Sequence, residues 1–228
     1  MSCRWLAPLL IGLALLTGCA SDPVRPATYV VKRGDTLYSI AFRHKLDYKE
    51  VARWNRIGRD YVIHPGQTLR LYPPGSSSGS AAAPRSAAKA RPKTPARPRA
   101  VIPAGPPVKW QWPVSDGAAT LTTRPNGGHG LTIVGRRGED IRAAGSGRIV
   151  YTGSGLLGYG QLVIVKHNES YLSAYGHLQS VLIKEGDAVA AGQRIATMGN
   201  GPQGSPLLYF EIRINGTPGN PLALLPQR

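Results

Sequence analysis

Cysteine is almost missing from this chain: there are two in 228 residues, Cys3 and Cys19. Both lie within the first 19 positions, so no disulfide can brace the rest, and any folded part must hold by packing alone. Acidic residues are also scarce. Twelve Asp and Glu face 28 Lys and Arg, a formal charge of +16. Long apolar runs are lacking too. The run from Leu6 to Leu16 falls short of the roughly 20 residues a membrane-crossing helix needs.

That short run follows a basic start at Arg4 and matches the apolar region of a secretory signal, which is excluded from fold reasoning. It ends in Leu16-Thr17-Gly18-Cys19. This tetrad resembles a lipobox, where bacteria lipidate a cysteine and cleave just before it. The resemblance implies a signal peptide over 1–18 and a lipid-carrying Cys19. A short tether over 19–27 follows. Ala20 and Ser21, with no Asp directly after the cysteine, point by the same resemblance to the outer membrane.

A basic chain suggests nucleic acid, but an exported protein meets little of it. The anionic polymers of the envelope are peptidoglycan, with its peptide carboxylates, and lipid head groups. The charge is also uneven. Residues 28–72 carry 9 Lys/Arg against 4 Asp/Glu, and residues 108–228 carry 11 against 7. Residues 73–107 carry 6 against none, with nine prolines and almost no large apolar residue. Such a stretch cannot bury enough surface to offset its conformational entropy and reads as a disordered linker. Its about 35 residues would hold the flanking segments roughly 30–110 Å apart.

The first flank, 28–72, begins with a short strand over 29–33 and a Gly34-Asp35 turn. Thr36 can cap a helix carrying Leu37, Ile40 and Ala41, and Asp35 is a second capping candidate. Tyr48, Val51, Ala52 and Trp54 give a second helix closing near Asn55; after the Pro65-Gly66 turn comes a strand over 68–72. The order is βααβ. The segments YVVKRGDTLYSIA, ARWNRI and VIHPGQTLRLY resemble a LysM domain. LysM domains bind N-acetylglucosamine-containing glycans such as peptidoglycan and chitin. The resemblance implies a glycan groove between Gly34-Asp35-Thr36-Leu37 and Ile63-His64-Pro65-Gly66, His64 being mainly a surface residue.

The second flank, 108–228, is glycine-rich, with turn signals every 8–12 residues, and reads as an all-β sandwich or barrel. Strands are expected over 131–134, 147–152, 162–166, 171–175, 189–190, 194–198 and 208–214. The run from Val181 to Met198 resembles the hairpin of biotinyl and lipoyl carriers. Gly199 follows Met198 where those carriers have the modified Lys, so that reading fails. Gly145-Ser146-Gly147-Arg148-Ile149-Val150, Tyr175-Gly176-His177-Leu178, Phe210-Glu211-Ile212-Arg213 and Asn220-Pro221 instead resemble the LytM-type (M23) zinc endopeptidases of cell walls, across nearly all of 110–225. Active members carry H-x-x-x-D early and H-L-H-F-E late, and two of those histidines and the Asp bind zinc. Here Gly128 and Thr132 stand at the early positions, and Leu207 and Tyr209 at the late ones. Only His177, the auxiliary catalytic histidine, is kept. Zinc catalysis needs three N, O or S ligands and an open position for water. His129, His167, His177 and Glu211 remain as donors; a register shift could bring in His129, but Thr132 would still not supply the acid. His167 and His177 read as a hydrogen-bonded pair bracing two strands, and His129 as an exposed loop residue. No metal or other cofactor is expected.

Lipobox, LysM, basic linker and degenerate LytM domain, in that order, resemble the NlpD-type murein hydrolase activators. In that family the degenerate domain does no chemistry. It binds a periplasmic zinc amidase and relieves its autoinhibition during cell separation. The resemblance implies that Gly128, His129, Thr132, His177, Leu207 and Tyr209 line a surface for the amidase. Leu and Tyr at former ligand positions suit burial against an amphipathic helix. The implied partners are peptidoglycan glycan strands, the amidase, and a membrane reached through the lipid, with no nucleic acid. An active wall endopeptidase and a purely structural tether are the alternatives.

Overall fold

The computed structural model describes residues 28–74, 107–123 and 129–228. The signal segment, Cys19, most of the proline-rich stretch and Gly128 lie outside them.

The first module is built on local chemistry. Strand β1 (Thr28–Val30) pairs antiparallel with β2 (Thr68–Arg70), Tyr29 opposite Leu69. Helix α1 (Leu37–His44) starts at Thr36. Thr36 Oγ1 accepts from the Ser39 amide at 3.1 Å, and the Thr36 amide donates to Ser39 Oγ at 3.0 Å. This reciprocal pair satisfies two amides that a helix start otherwise strands. Helix α2 (Tyr48–Trp54) starts at Asp47, whose carboxylate accepts from the Lys49 amide at 2.9 Å. Asn55 then ties the helix to β2. Its Nδ2 donates to the Val51 and Arg70 carbonyls, and its Oδ1 accepts from the Arg70 amide. Val31, Leu37, Ile40, Val51, Leu69 and Leu71 form the core beneath.

The second module is one sheet of ten strands, ordered β3-β4-β11-β8-β7-β6-β9, with β10 and β5 joined on beside β8 and β12 beside β11. The strands are β3 (Ala119–Thr123), β4 (His129–Val134), β5 (Asp140–Arg142), β6 (Gly147–Gly153), β7 (Gln161–Lys166), β8 (Tyr171–Val181), β9 (Ala188–Val189), β10 (Arg194–Met198), β11 (Leu207–Ile214) and β12 (Thr217–Pro218). Alternation along β11 gives the sheet two distinct faces. Leu208, Phe210 and Ile212 join Leu131, Ile133, Val163, Val165 and Tyr175 in an inner core, closed by Ile141, Ile195 and Val114. Tyr209, Glu211 and Arg213 point the other way. Their cross-strand neighbours on β8 are Gly176, Ala174 and Leu172.

The first module covers much of that outer face. Leu162, Ile164, Leu172, Ala174 and Tyr209 belong to one buried cluster with Ile40, Phe42, Tyr48 and Val51 of α1 and α2. This differs from the expectation of modules held apart by an extended linker: here they are in direct contact.

The mostly-β character and the βααβ order agree with the sequence. Strand β8 is longer than expected. It continues past Gly176 through His177, whose φ is 59°, and the chain then pairs with β10 up to Val181. Strands β3, β5 and β12 were not foreseen. β3 is a threonine-rich edge without apolar alternation, and β5 and β12 are too short to show a period.

Candidate functional site

Two areas carry the residues singled out by sequence. In the first module, the Gly34–Leu37 and Ile63–Gly66 loops are held side by side by backbone bonds. The Gly66 amide donates to the Val31 carbonyl, and the Val31 amide to the Gln67 carbonyl, both at 2.8 Å. Asp35 closes its own turn, accepting from the Lys32 amide at 2.9 Å and the Tyr29 hydroxyl at 2.7 Å. Burial and the Asp35 carboxylate both push the Tyr29 phenol above its ordinary pKa. So Thr36 caps α1 while Asp35 braces the loop before it. Leu37 turns into the core, whereas Gly34, His64, Pro65 and Gly66 are exposed and Ile63 is half-buried. What the paired loops offer outward is turn backbone, able to hydrogen-bond hydroxyl and N-acetyl groups.

The second area lies on the outer face of the sheet. Thr132 of β4 and Gly176 of β8 flank Tyr209 of β11 as its direct cross-strand partners. Thr132 Oγ1 lies 2.9 Å from Thr122 Oγ1. The Tyr209 ring leans over Gly130, where an added Cβ would sit 2.6 Å from its hydroxyl, so that position admits only glycine. The Tyr209 and Tyr159 hydroxyls donate to Glu211 Oε2 at 3.1 and 3.3 Å, and Arg213 Nε donates to Glu211 Oε1 at 2.5 Å. Glu211 is therefore a fully engaged, fully buried carboxylate. His177 is 7% exposed, its amide donating to the Tyr159 carbonyl and its carbonyl accepting from the Gly199 amide. His129 is exposed at the start of β4, Nδ1 lying 3.1 Å from Thr123 Oγ1. Leu207 sits over Gly201 and is half-buried.

The structure thus brings Thr132, Tyr209 and the strand bearing His177 together, with Leu207 two residues along the same face. His129 stands at the rim, and Gly128 is outside the described residues. The donors do not fit a zinc ion. Thr132 and Tyr209 offer neutral hydroxyls already bonded to protein, and Glu211 spends both oxygens on neighbours. Among the described residues no three His, Cys, Asp or Glu side chains cluster as a metal site.

The expected His167–His177 pair does not form. Both ring nitrogens of His167 are taken, Nδ1 by the Ser146 carbonyl at 2.8 Å and Nε2 by Ser173 Oγ at 2.7 Å, and its ring meets Trp110 edge-on. Burial lowers its pKa to about 4, the bond to Ser146 opposing only in part. The unfolded chain then binds a proton near pH 6.5 that the folded chain refuses until about pH 4. Stability should be lost as pH drops from about 6.5 to about 4, by about 2 kcal/mol after allowance for the ring's partial exposure, and stay level above that window. Urea unfolding of His167→Asn should lack this slope.

Sequence reasoning missed Arg213, Tyr159 and Phe42. The signal for Arg213 was present: Glu211 and Arg213 are two apart in an apolar strand, so opposite charges share one face. Phe42 carried no such signal.

Fold and site together define a class of protein: a LysM module joined to an M23-peptidase scaffold. The LysM domain profile matches residues 29–71, and that of peptidase family M23 matches residues 126–221. The chain is 40% identical over 238 residues to the lipoprotein NlpD/LppB homolog of Pseudomonas aeruginosa, spanning 90% of this chain and 79% of that protein. It is 39% identical over 231 residues to the lipoprotein YgeR of Escherichia coli, spanning 96% and 90% respectively. With the murein hydrolase activator NlpD of Escherichia coli it shares 32% over 259 residues, 89% of this chain and 68% of the relative. The chain belongs to the NlpD/LppB lipoprotein family.

Proposed function

We propose that this protein is a non-catalytic, peptidoglycan-binding lipoprotein that activates a periplasmic N-acetylmuramoyl-L-alanine amidase. The organisation proposed is a signal over 1–18, a lipid on Cys19, a tether to 27, a LysM module over 28–72, a linker over 73–107 and a degenerate LytM domain over 108–228. The lipid holds the chain on the outer membrane, facing the periplasm. The LysM loops Gly34–Leu37 and Ile63–Gly66 bind glycan strands, and Gly128, His129, Thr132, His177, Leu207 and Tyr209 form the partner-binding area.

The observation that carries this reading is the bonding of Thr132 and Tyr209 to neighbouring side chains, at positions where the M23 resemblance implies zinc ligands in active members. Without a metal there is no activated water to attack a peptide, so the retained scaffold serves recognition. The naming of relatives as murein hydrolase activators supports the same reading. Activation requires that the domain favour one amidase state over another. The test is release of soluble fragments from purified wall by candidate amidases of the host, with and without this chain lacking its signal. Stimulation of at least one amidase is expected, and basal rates throughout would defeat the reading.

A further inference from the structure

The contact between the two modules is specific, and its edge runs through the partner-binding area. Arg213 Nη1 donates to the Phe42 carbonyl at 2.7 Å, and its guanidinium carbon lies 3.3 Å from the Phe42 ring centre. Both residues are only 2% exposed. Arg213 is held by Glu211, so the ion pair that orders the outer face also grips α1. On one side of this clamp, the Lys166 ammonium sits among three tyrosine rings of the first module, 5.2 Å from Tyr48, 5.3 Å from Tyr61 and 6.0 Å from Tyr38. Glu169 binds that ammonium at 2.6 Å and accepts from the Tyr48 hydroxyl at 3.3 Å. Beside this cluster, the β11–β12 turn, whose Asn215 amide donates to the Ser170 carbonyl at 2.8 Å, presses against the link between α1 and α2. A Cβ on Gly216 would lie 2.5 Å from the Leu46 carbonyl oxygen and the Asp47 amide nitrogen. The missing side chain is what lets the two backbones meet.

The aromatic contacts continue into the site. Phe42 meets Tyr159 edge-on at 5.4 Å, and Tyr159 meets Tyr209 at 5.6 Å. Tyr209 is 2% exposed, while Thr132 and Leu207 beside it are half-open. Leu37 and Ile63 of the glycan loops pack with this cluster, while the loop positions Gly34, His64, Pro65 and Gly66 remain exposed.

We propose that the LysM module is an intramolecular cap: docked on the outer face through Phe42, Tyr48 and the Gly216 contact, it withholds the Tyr209 side of the degenerate groove from the partner, and undocking makes the chain competent to activate. This rests on the activator reading above and adds its regulation. A closed fraction lowers apparent affinity by the share of molecules that are open. The cap leaves glycan binding untouched, so a wall-bound chain can be held inactive.

Two substitutions in the full chain without its signal, carrying Cys19→Ser, open the contact by different means. Gly216→Asn keeps a residue type that tolerates the left-handed turn, φ 77°, but puts a side chain into Leu46 and Asp47. Glu169→Lys reverses the charge at an exposed hairpin tip beside Lys166. Small-angle X-ray scattering should show a compact wild type and expanded variants, with sedimentation on purified wall unchanged. Amidase activation should then need about tenfold less of either variant. Equal dimensions for wild type and variants would overturn the proposal, as would expanded variants that activate no better. If no chain stimulates any amidase, the activator reading fails and the cap's role with it, while scattering still decides whether the modules close.

Discussion

Glu211→Ala should lower the free energy of unfolding by about 3–5 kcal/mol, among the largest effects of any single substitution in the chain. Its carboxylate sits at 0% exposure and accepts from Arg213, Tyr209 and Tyr159. Truncation strands a guanidinium at 2% exposure and takes the Glu211 acceptor from two phenols. Glu211→Gln keeps the shape and one acceptor oxygen and should cost less. The double change Glu211→Leu with Arg213→Met removes both charges and should recover much of the loss, because an apolar pair carries no desolvation cost. Urea unfolding measures all three. A loss under about 1 kcal/mol for Glu211→Ala would mean that the buried network does not hold the outer face together.

The second large effect concerns function. Leu207→Glu combined with Thr132→Arg should reduce amidase activation tenfold or more, about 1.4 kcal/mol or greater in partner binding. Leu207 and Thr132 are the half-open residues at the uncovered edge of the site, on the same face as Tyr209. Charges there oppose burial against an apolar helix face, whereas the fold core lies on the opposite face. The melting temperature and wall sedimentation should therefore stay close to wild type while activation drops. Retained activation with an unchanged fold would place the partner elsewhere on the domain.

The small module was largely legible in the sequence because its determinants are local. Thr36 caps three residues ahead, Asp47 caps two ahead, and Asn55 closes the second helix near where the apolar period stops. In the large module, β11 showed its alternation and β4, β6, β7 and β10 their apolar runs. What stayed hidden depends on distant neighbours. Phe42 and Arg213 are 171 positions apart, and nothing in either segment names the other. The expected pairing of His167 with His177 fails because strand register, which sends His167 to Ser146 and Ser173, is not set by local pattern. β3 escaped because an edge strand of threonines needs its neighbour to define it.

The central claim is that the second module acts by binding and performs no hydrolysis of its own. It is tested most directly by mass spectrometry of wall digests made with this chain alone, an amidase alone, and both, with zinc measured on the same protein. The account predicts no products and no stoichiometric zinc for the chain alone. With both proteins present, the yield of stem peptides freed from glycan should rise, with no product type that the amidase alone does not make. Cleaved cross-links from the chain alone, with about one zinc per molecule, would contradict it.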